Sequence, residues 1–427
     1  MRSSAMSAVV RAYLAARWRN HRLRSRQAVS AYQHRQLRQL IRRATTELPF
    51  YHPYAGLTFE SLPIIDKGLL LANFSDLNRS SLELEAVREA IALGKERLAG
   101  RIIGMSTGTS GNRGFYVISE AERFVWLGTI LAKALPDALW RKHKVALALP
   151  ALSDLYSSAT LGSRITLQFF DLAQGPEAWI DRLLRFAPDT IVAPPKVLRW
   201  LAERGHLTAT HIFSGAEVLD ELDRQIIESA TGIAVREIYM ATEGLFAVSC
   251  QYGTIHLAED VVHFEFERPD PDSPLVSPIV TDFTRREQGM IRYRMNDLLE
   301  LDDRSCKCGS AYRAVRRIEG RSDDAFLLAD RLGRVQLVTP DILRNAVVDA
   351  DRAINDFRII QTGPGTIEVF LPDELSEATA GQIRAGLDAA LLRRGLTARI
   401  TIRRGIALDF TRKLRRVRRE WHGPDQV

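Results

Sequence analysis

Cysteine is scarce: the 427-residue chain holds only three, an odd number that excludes a disulfide framework and the small stapled scaffolds that depend on one. Long apolar runs are missing too. No stretch reaches the roughly 18 consecutive apolar residues that a membrane-spanning helix requires, and the N-terminus lacks the compact apolar region of a secretory leader. A cytoplasmic protein is therefore expected. Positions 1–43 contain no acidic residue while carrying eleven arginines. There is no internal repeat and no low-complexity segment, which sets aside solenoids and disordered chains. What is there is an ordinary globular composition, 46% hydrophobic, long enough to bury a large core and to divide into at least two domains.

The most informative segment is Met105-Ser106-Thr107-Gly108-Thr109-Ser110-Gly111-Asn112-Arg113-Gly114, directly after the apolar Ile102-Ile103. Glycines let the backbone approach an anion closely, and Ser and Thr hydroxyls donate to phosphate oxygens. Ser106, Thr107, Gly108, Thr109, Ser110 and Gly111 are accordingly candidate phosphate ligands. No lysine follows the last glycine, so the loop is not of the Walker type. Three later segments complete the set: Ser214-Gly215-Ala216-Glu217, Tyr239-Met240-Ala241-Thr242-Glu243-Gly244 and Tyr293-Arg294-Met295-Asn296-Asp297. A nucleotide site has a use for each. The small Gly215-Ala216 pair, between Ser214 and Glu217, allows a base to lie flat. Tyr239 offers a stacking face, Thr242 a phosphate donor, Glu243 a hard oxygen ligand for magnesium, and Asp297 an acceptor for two ribose hydroxyls.

Further segments strengthen the pattern: Leu62-Pro63-Ile64-Ile65-Asp66-Lys67 after Leu48-Pro49-Phe50-Tyr51, Ile318-Glu319-Gly320-Arg321-Ser322-Asp323-Asp324, and Lys413 near the C-terminus. On these ordered motifs the chain resembles the adenylate-forming superfamily of acyl-CoA synthetases. Within it, the likeness is to the phenylacetate-CoA ligase-like branch that includes deazaflavin-adenylating synthetases, and it spans nearly the whole sequence. The resemblance implies an ATP-dependent, AMP-forming ligase that adenylates a small carboxylic acid, aromatic by family habit, and passes the acyl group to a thiol. That thiol belongs to CoA or to a carrier-protein phosphopantetheine. It also implies Mg²⁺ on Glu243, Lys413 as a mobile catalytic lysine, and Arg321 on the nucleotide. Two departures mark a divergent member: Asn112-Arg113 replaces a common proline and lysine, and Arg294-Met295-Asn296-Asp297 replaces Arg-Thr-Gly-Asp. Two other functions fit the same residues. One is transfer of AMP to a substrate hydroxyl, the other a catalytically silent nucleotide-binding protein.

Short apolar strands alternate with helical patterns through the middle of the chain, for example Val145 to Leu149, Thr190 to Ala193 and Val235 to Tyr239 as strands around helices at Lys196 to Arg204 and Leu219 to Thr231. This alternation predicts βαβ units and places the ligand motifs at strand carboxyl ends. After Gly253 the pattern becomes β-rich. The fold class expected is α/β, with a large N-terminal domain of mostly parallel sheets and a β-rich subdomain (1–321) and a small mobile α+β lid (322–427). The hinge is expected at Ser322-Asp323.

Cys250, His256, Cys306 and Cys308 offer three soft sulfurs and an imidazole, a set suited to a structural, tetrahedral Zn²⁺. His263 is an alternative to His256, and three free thiols are the plain reading. In the basic segment 1–45, Val9, Val10, Leu14, Trp18, Tyr32, Leu37, Leu40 and Ile41 recur at helical spacing, which predicts amphipathic helices with arginines on their solvated faces. Among partners for such a surface an acidic acyl carrier protein is favoured over anionic lipid, and nucleic acid is set aside.

Overall fold

The computed structural model describes residues 2–106, 113–149, 164–271, 273–351, 354–406, 409–410 and 413–421. Two helices open the chain, α1 (Arg2–Arg22) and α2 (Arg26–Glu47), the latter capped by Ser25, whose hydroxyl accepts from the Ala28 amide at 3.1 Å. Short helices α3 (Lys67–Ala72) and α4 (Leu84–Ala92) lead into a small antiparallel sheet of β1 (Arg97–Leu98), β2 (Arg101–Met105) and β3 (Phe115–Ile118). Helix α5 (Glu120–Ala134) starts at a capping box formed by Ser119 and Glu122.

Helix α1 crosses α5 at Gly128, where a Cβ would fall 2.5 Å from the Val9 carbonyl oxygen and 2.6 Å from Ala12 Cβ. Only glycine admits that approach, and it selects small residues opposite. Val9, Ala12, Tyr13 and Ala16 form the buried face of α1, while Leu14 and Trp18 are 48% and 60% exposed. The apolar stripe expected through Leu14 and Trp18 is thus corrected by close helix packing. The arginines are also not all solvated. Arg19 and Lys133 reach the buried Asp260 at 3.1 and 2.6 Å, and Arg26 pairs with the buried Glu259 at 2.9 Å. These pairs fasten the N-terminal helices to the body of the protein. Among the described residues no helix is long and apolar enough to cross a membrane.

The centre is a 12-stranded sheet. Its parallel part comprises β4 (His143–Leu149), β5 (Ile165–Asp171), β6 (Thr190–Ala193), β7 (His211–Gly215) and β8 (Val235–Ala241), in the order β5-β4-β6-β7-β8. Helices α6 (Ile180–Phe186), α7 (Pro195–Glu203) and α8 (Glu221–Thr231) connect them. Side chains alternate between two cores, as the twofold period of a strand requires. Ala146, Ile191, Ile212 and Val235 pack with the connecting helices, whereas Val145, Phe213 and Ile238 pack with α5.

The β-rich region continues this sheet rather than forming a separate one. Strand β9 (Gly244–Ser249) folds back antiparallel on β8 through the two residues Thr242 and Glu243, with Ala241 opposite Gly244. Then follow β10 (Ile255–Leu257), β11 (Val262–Glu267), β12 (Leu275–Asp282), β13 (Tyr293–Arg294), β14 (Asp297–Asp302) and β15 (Ala314–Arg321). Of these, β13 is the shortest, confined to Tyr293–Arg294.

Beyond Arg321 the chain builds a hairpin, β16 (Phe326–Ala329) and β17 (Val335–Val338), then α9 (Pro340–Val348), β18 (Arg358–Gly363), β19 (Thr366–Leu371), α10 (Glu377–Leu392), β20 (Arg399–Arg404) and β21 (Val417–Arg419). The last strands make a four-stranded sheet ordered β20-β19-β18-β21. It has its own core, including Phe326, Leu343, Phe357, Ile383 and Leu387.

Candidate active site

A cavity of about 2600 Å³ opens at the carboxyl ends of β7 and β8, the position at which open α/β sheets take ligands. Ser106, the Ser214–Glu217 turn, Tyr239, Thr242, Glu243, Asp297, Arg321 and Lys413 all line it, although they are spread over 300 residues of sequence. Thr107, Gly108, Thr109, Ser110 and Gly111 lie outside the described residues. The two flanks of that loop are joined: Ser106 N donates to the Gly114 carbonyl and Gly114 N to Ser106 Oγ, each at 2.8 Å.

The turn after β7 puts Ala216 at φ +67°, a left-handed conformation that a larger side chain would resist. Among the described residues the buried Ser214 Oγ has no hydrogen-bond partner, a donor left for a ligand. Glu217 is differently employed. Its Oε1 lies 2.9 Å from Lys196 Nζ, both side chains almost completely buried, so it ties β7 to α7 beside Lys413 and Leu414.

Two carboxylates, Glu243 and Asp297, line the cavity within electrostatic reach of each other. The Tyr239 hydroxyl donates to Asp297 Oδ2 at 2.7 Å, and Arg321 Nε lies 3.8 Å from Asp297 Oδ1. Tyr239 therefore orients Asp297 in addition to presenting a ring, which packs 5.2 Å from Phe246. Glu243, at the β8–β9 turn, is hydrogen-bonded to the Tyr293 hydroxyl. Burial pushes both carboxyls above their ordinary range, and the negative charge of Asp297 pushes Glu243 further. Glu243, an acceptor-only carboxylate held at this turn, fits a hard divalent cation, which would lower it again.

Lys413 enters from the C-terminal residues. Burial, and then the positive charge of Arg321, hold its ammonium below the usual lysine range, while Glu217 and Asp297 partly offset this. Neighbouring residues fix its approach. Arg415 pairs with Asp324 at 2.7 Å, and Arg416 makes a bidentate pair with Asp223 of α8 at 2.6 and 2.9 Å and a further pair with Asp356 at 3.1 Å. Arg199 of α7 also reaches Asp223, at 3.2 Å, and donates to the Asn355 carbonyl at 2.8 Å. Lys196 Nζ donates to the Asp409 carbonyl at 3.1 Å. Arg415, a neighbouring cation two residues on, is thus engaged elsewhere, and Arg412 lies outside the described residues. At the expected hinge, Ser322 N donates to the Asn296 carbonyl at 2.7 Å and Asn296 Nδ2 to Asp323 at 2.6 Å.

The cavity also has an apolar lobe. Trp126, Leu127, Ile130 and Leu131 of α5 and Leu147, Leu167 and Phe213 of the sheet contribute to its lining. Residues 150–156, which follow β4, lie outside the described residues, and α5 carried no sequence signal for this role beyond its amphipathic pattern. Lys67 is a second residue that sequence reasoning did not single out. It stands in the Ile65-Asp66-Lys67 segment, lines the cavity, and is drawn below the usual lysine range by burial, an effect that Glu243 opposes.

Away from the cavity, Cys250, His256, Cys306 and Cys308 converge, their ligand atoms all within 4.8 Å of one another. Cys308 Sγ lies 3.2 Å from His256 Nε2, and Cys250 Sγ 3.7 Å from Cys306 Sγ. Sulfurs held about 2.3 Å from a tetrahedral ion would be about 3.8 Å apart, so the set fits one. His256 Nδ1 is 3.2 Å from the Tyr312 carbonyl oxygen, the outer contact that leaves Nε2 for a metal. His263 is excluded as the fourth ligand, since its Nδ1 is 3.0 Å from Gln33 Oε1 and its ring packs on Phe59.

No family model matches the chain. It is 27% identical over 214 residues to phenylacetate-coenzyme A ligase of Thermus thermophilus, covering 45% of this chain and 46% of that protein. It is 26% identical over 202 residues to protein CapK of Staphylococcus aureus, covering 45% and 44%. The matched region is thus about half the length of these curated relatives. The fold is shared over a greater span with 2-hydroxyisobutyryl-CoA ligase: TM-score 0.65 at 19% identity, over 92% of this chain and 90% of that one, for its postadenylation state with 2-HIB-AMP. For its thioesterification state with 2-HIB-AMP and CoA the TM-score is 0.52, over the same shares. Together these likenesses support the resemblance to the adenylate-forming superfamily and its phenylacetate-CoA ligase-like branch.

Proposed function

We propose that this chain is an AMP-forming ligase that activates a carboxylic acid with ATP and transfers the acyl group to a thiol. The observation that carries the reading is the convergence of Glu243, Asp297, Arg321 and Lys413 on one cavity, with Lys413 brought in from the far end of the sequence. In the first half-reaction an oxygen of the acid attacks the α-phosphorus of ATP, the bond to pyrophosphate breaks, and an acyl-adenylate forms. Both reactants are anions, so positive charge placed in advance is the principal contribution of the protein. Lys413 supplies it at the reacting centre, Asp297 accepts the ribose hydroxyls, and Thr242 and Ser214 donate to the nucleotide. A Mg²⁺ ion held by Glu243 would neutralise phosphate charge when bound.

In the second half-reaction the sulfur of the thiol attacks the acyl carbon, AMP leaves, and the thiol proton is released to solvent. Withdrawal of Lys413 by rotation of residues 322–427 about Ser322-Asp323 would make room for that thiol. The greater likeness to a postadenylation state than to a thioesterification state supports reading the present arrangement as the adenylating one. CoA or a carrier-protein phosphopantetheine is the acceptor, and the acid has an aromatic or other apolar body that fits the lobe beneath α5. A structural Zn²⁺ at Cys250, His256, Cys306 and Cys308 completes the proposal.

ATP–pyrophosphate exchange against a panel of aryl, polyene and fatty acids tests it, with Lys413→Ala as control. Exchange stimulated by one acid class and lost in the variant is the expected result. ATP binding without exchange on any acid would overturn it, and a product that keeps AMP on a hydroxyl would replace ligation by nucleotidyl transfer.

A further inference from the structure

Arg285 belongs to none of the motifs that identify the site, yet it lines the same cavity. Its Nε and Nη2 are closed off from solvent and, among the described residues, meet no hydrogen-bond acceptor. Buried guanidinium nitrogens are costly to leave unpaired, and the neighbouring acids Asp282 and Glu243, although within reach of its charge, make their hydrogen bonds to other groups. Asp282 Oδ1 accepts from the amide and hydroxyl of Thr284, both at 2.6 Å, while its Oδ2 lies against Gly244, 2.9 Å from where a Cβ would be. Glu122 accepts from Ser119 and from the amides of Arg286 and Glu287, at 2.6 and 2.9 Å. Glu243 is occupied by the Tyr293 hydroxyl. The backbone on both sides of Arg285 is therefore pinned while its head group is left open.

Its position indicates what would fill it. The clamp on Glu122 sets residues 285–287 against the first turn of α5. From Glu122 the cavity-facing side of that helix runs on through Trp126, Ile130 and Ala134 at four-residue spacing, one apolar face. On its other side Arg285 is close enough to Glu243 to lower that carboxyl. It stands where the apolar lobe meets the nucleotide side of the cavity. An acid whose apolar body fills the lobe would present its carboxylate there, and a guanidinium binds two carboxylate oxygens in one plane.

We propose that Arg285 holds the carboxylate of an acid substrate with a bulky apolar body and turns it toward the α-phosphorus of ATP. The assignment rests on the ligase reading above. A polyphosphate oxygen is the competing occupant, since it is the other oxyanion in the reaction.

The test compares wild type with Arg285→Gln and Arg285→Lys by calorimetry, using phenylacetate and decanoate, their primary amides, and tripolyphosphate as probes. Wild type should bind one of the acids about tenfold or more tightly than its amide. Arg285→Gln should lose that preference, Arg285→Lys should keep part of it, and tripolyphosphate affinity should not change. In pyrophosphate exchange the KM for the acid should rise at least about tenfold while that for ATP stays level. An intact acid preference in Arg285→Gln, a loss confined to tripolyphosphate, equal losses for acid and amide, or failure of both acids to bind wild type would each overturn the assignment. Because binding is read without turnover, acid discrimination through Arg285 in a protein that never exchanges pyrophosphate would count against the ligase reading alone.

Discussion

Replacing one carboxylate on α8 should separate the two half-reactions. Asp223 is 1% exposed and receives both terminal nitrogens of Arg416, itself 6% exposed. In Asp223→Asn the side chain keeps its shape but loses its charge, and Arg416 is left buried with Asp356 as its remaining acid. Breaking a buried pair from one side costs about 3–5 kcal/mol, and the surviving partner argues for the lower end, about 3 kcal/mol. That cost falls on the arrangement in which residues 413–421 pack on α8, since Arg416 regains water if they lift away. At about 1.4 kcal/mol per tenfold, the closed population should fall relative to the open one by roughly a hundredfold. Lys413, three residues from Arg416, leaves the cavity with it. Rapid-quench measurement should therefore show acyl-adenylate formation slowed by up to about a hundredfold, with thiolysis of a supplied acyl-adenylate unchanged or faster. Equal losses in both steps, or adenylation at the wild-type rate, would refute the reasoning.

Lys413→Ala should lower adenylate formation by about 10²–10³-fold and spare thiolysis, as expected for a charge acting at one reacting centre. The pH profile of adenylation should fall on the alkaline side at a value below that of ordinary lysine, because burial and Arg321 disfavour the ammonium; Lys413→Arg should remove that limb. The sign for stability is opposite: the folded state binds fewer protons than the unfolded one in that window, so stability rises with pH there. Asp260→Asn should lower thermal stability at pH 7 by about 3–5 kcal/mol, because Arg19 and Lys133 lose their buried partner. The pairing holds the Asp260 carboxyl below its usual range despite burial; this stabilisation is present above the unfolded value and lost as pH falls through the folded one. Metal analysis should find about one zinc per chain, and chelation or Cys306→Ser should lower Tm while ATP affinity weakens secondarily.

Legibility in the sequence followed burial. Strands such as Thr190–Ala193 and the Val145–Leu149 part of β4 are buried along most of their length, so they read as apolar runs in their correct places. Strand β15 gave no such signal, because Arg316 and Arg317 pair across to Glu300 at 3.0 Å each and hide the strand in charge. The face of α1 was misread because contact through Gly128 rewards small side chains, which hydrophobic periodicity undervalues. The cavity residues were legible where they fell in motifs. Arg285 was not, since an unpaired guanidinium is visible only once its neighbours are seen bonding elsewhere.

The Cys/His cluster joins the β9–β10 turn to the β14–β15 loop at the ends of those strands remote from the cavity. At the near ends, Asp297 and Arg321 lie opposite each other, and the ladder between contains two irregularities, at Leu298/Leu299 and Glu300/Leu301. A slip of two residues along that ladder would keep side chains on their own faces and carry Asp297 by about 6.8 Å. Four side chains fixed to one point would forbid that slip. Loss of the clip by oxidation would then produce a protein that remains folded and misaligned, intact by most biophysical criteria and blind to its nucleotide.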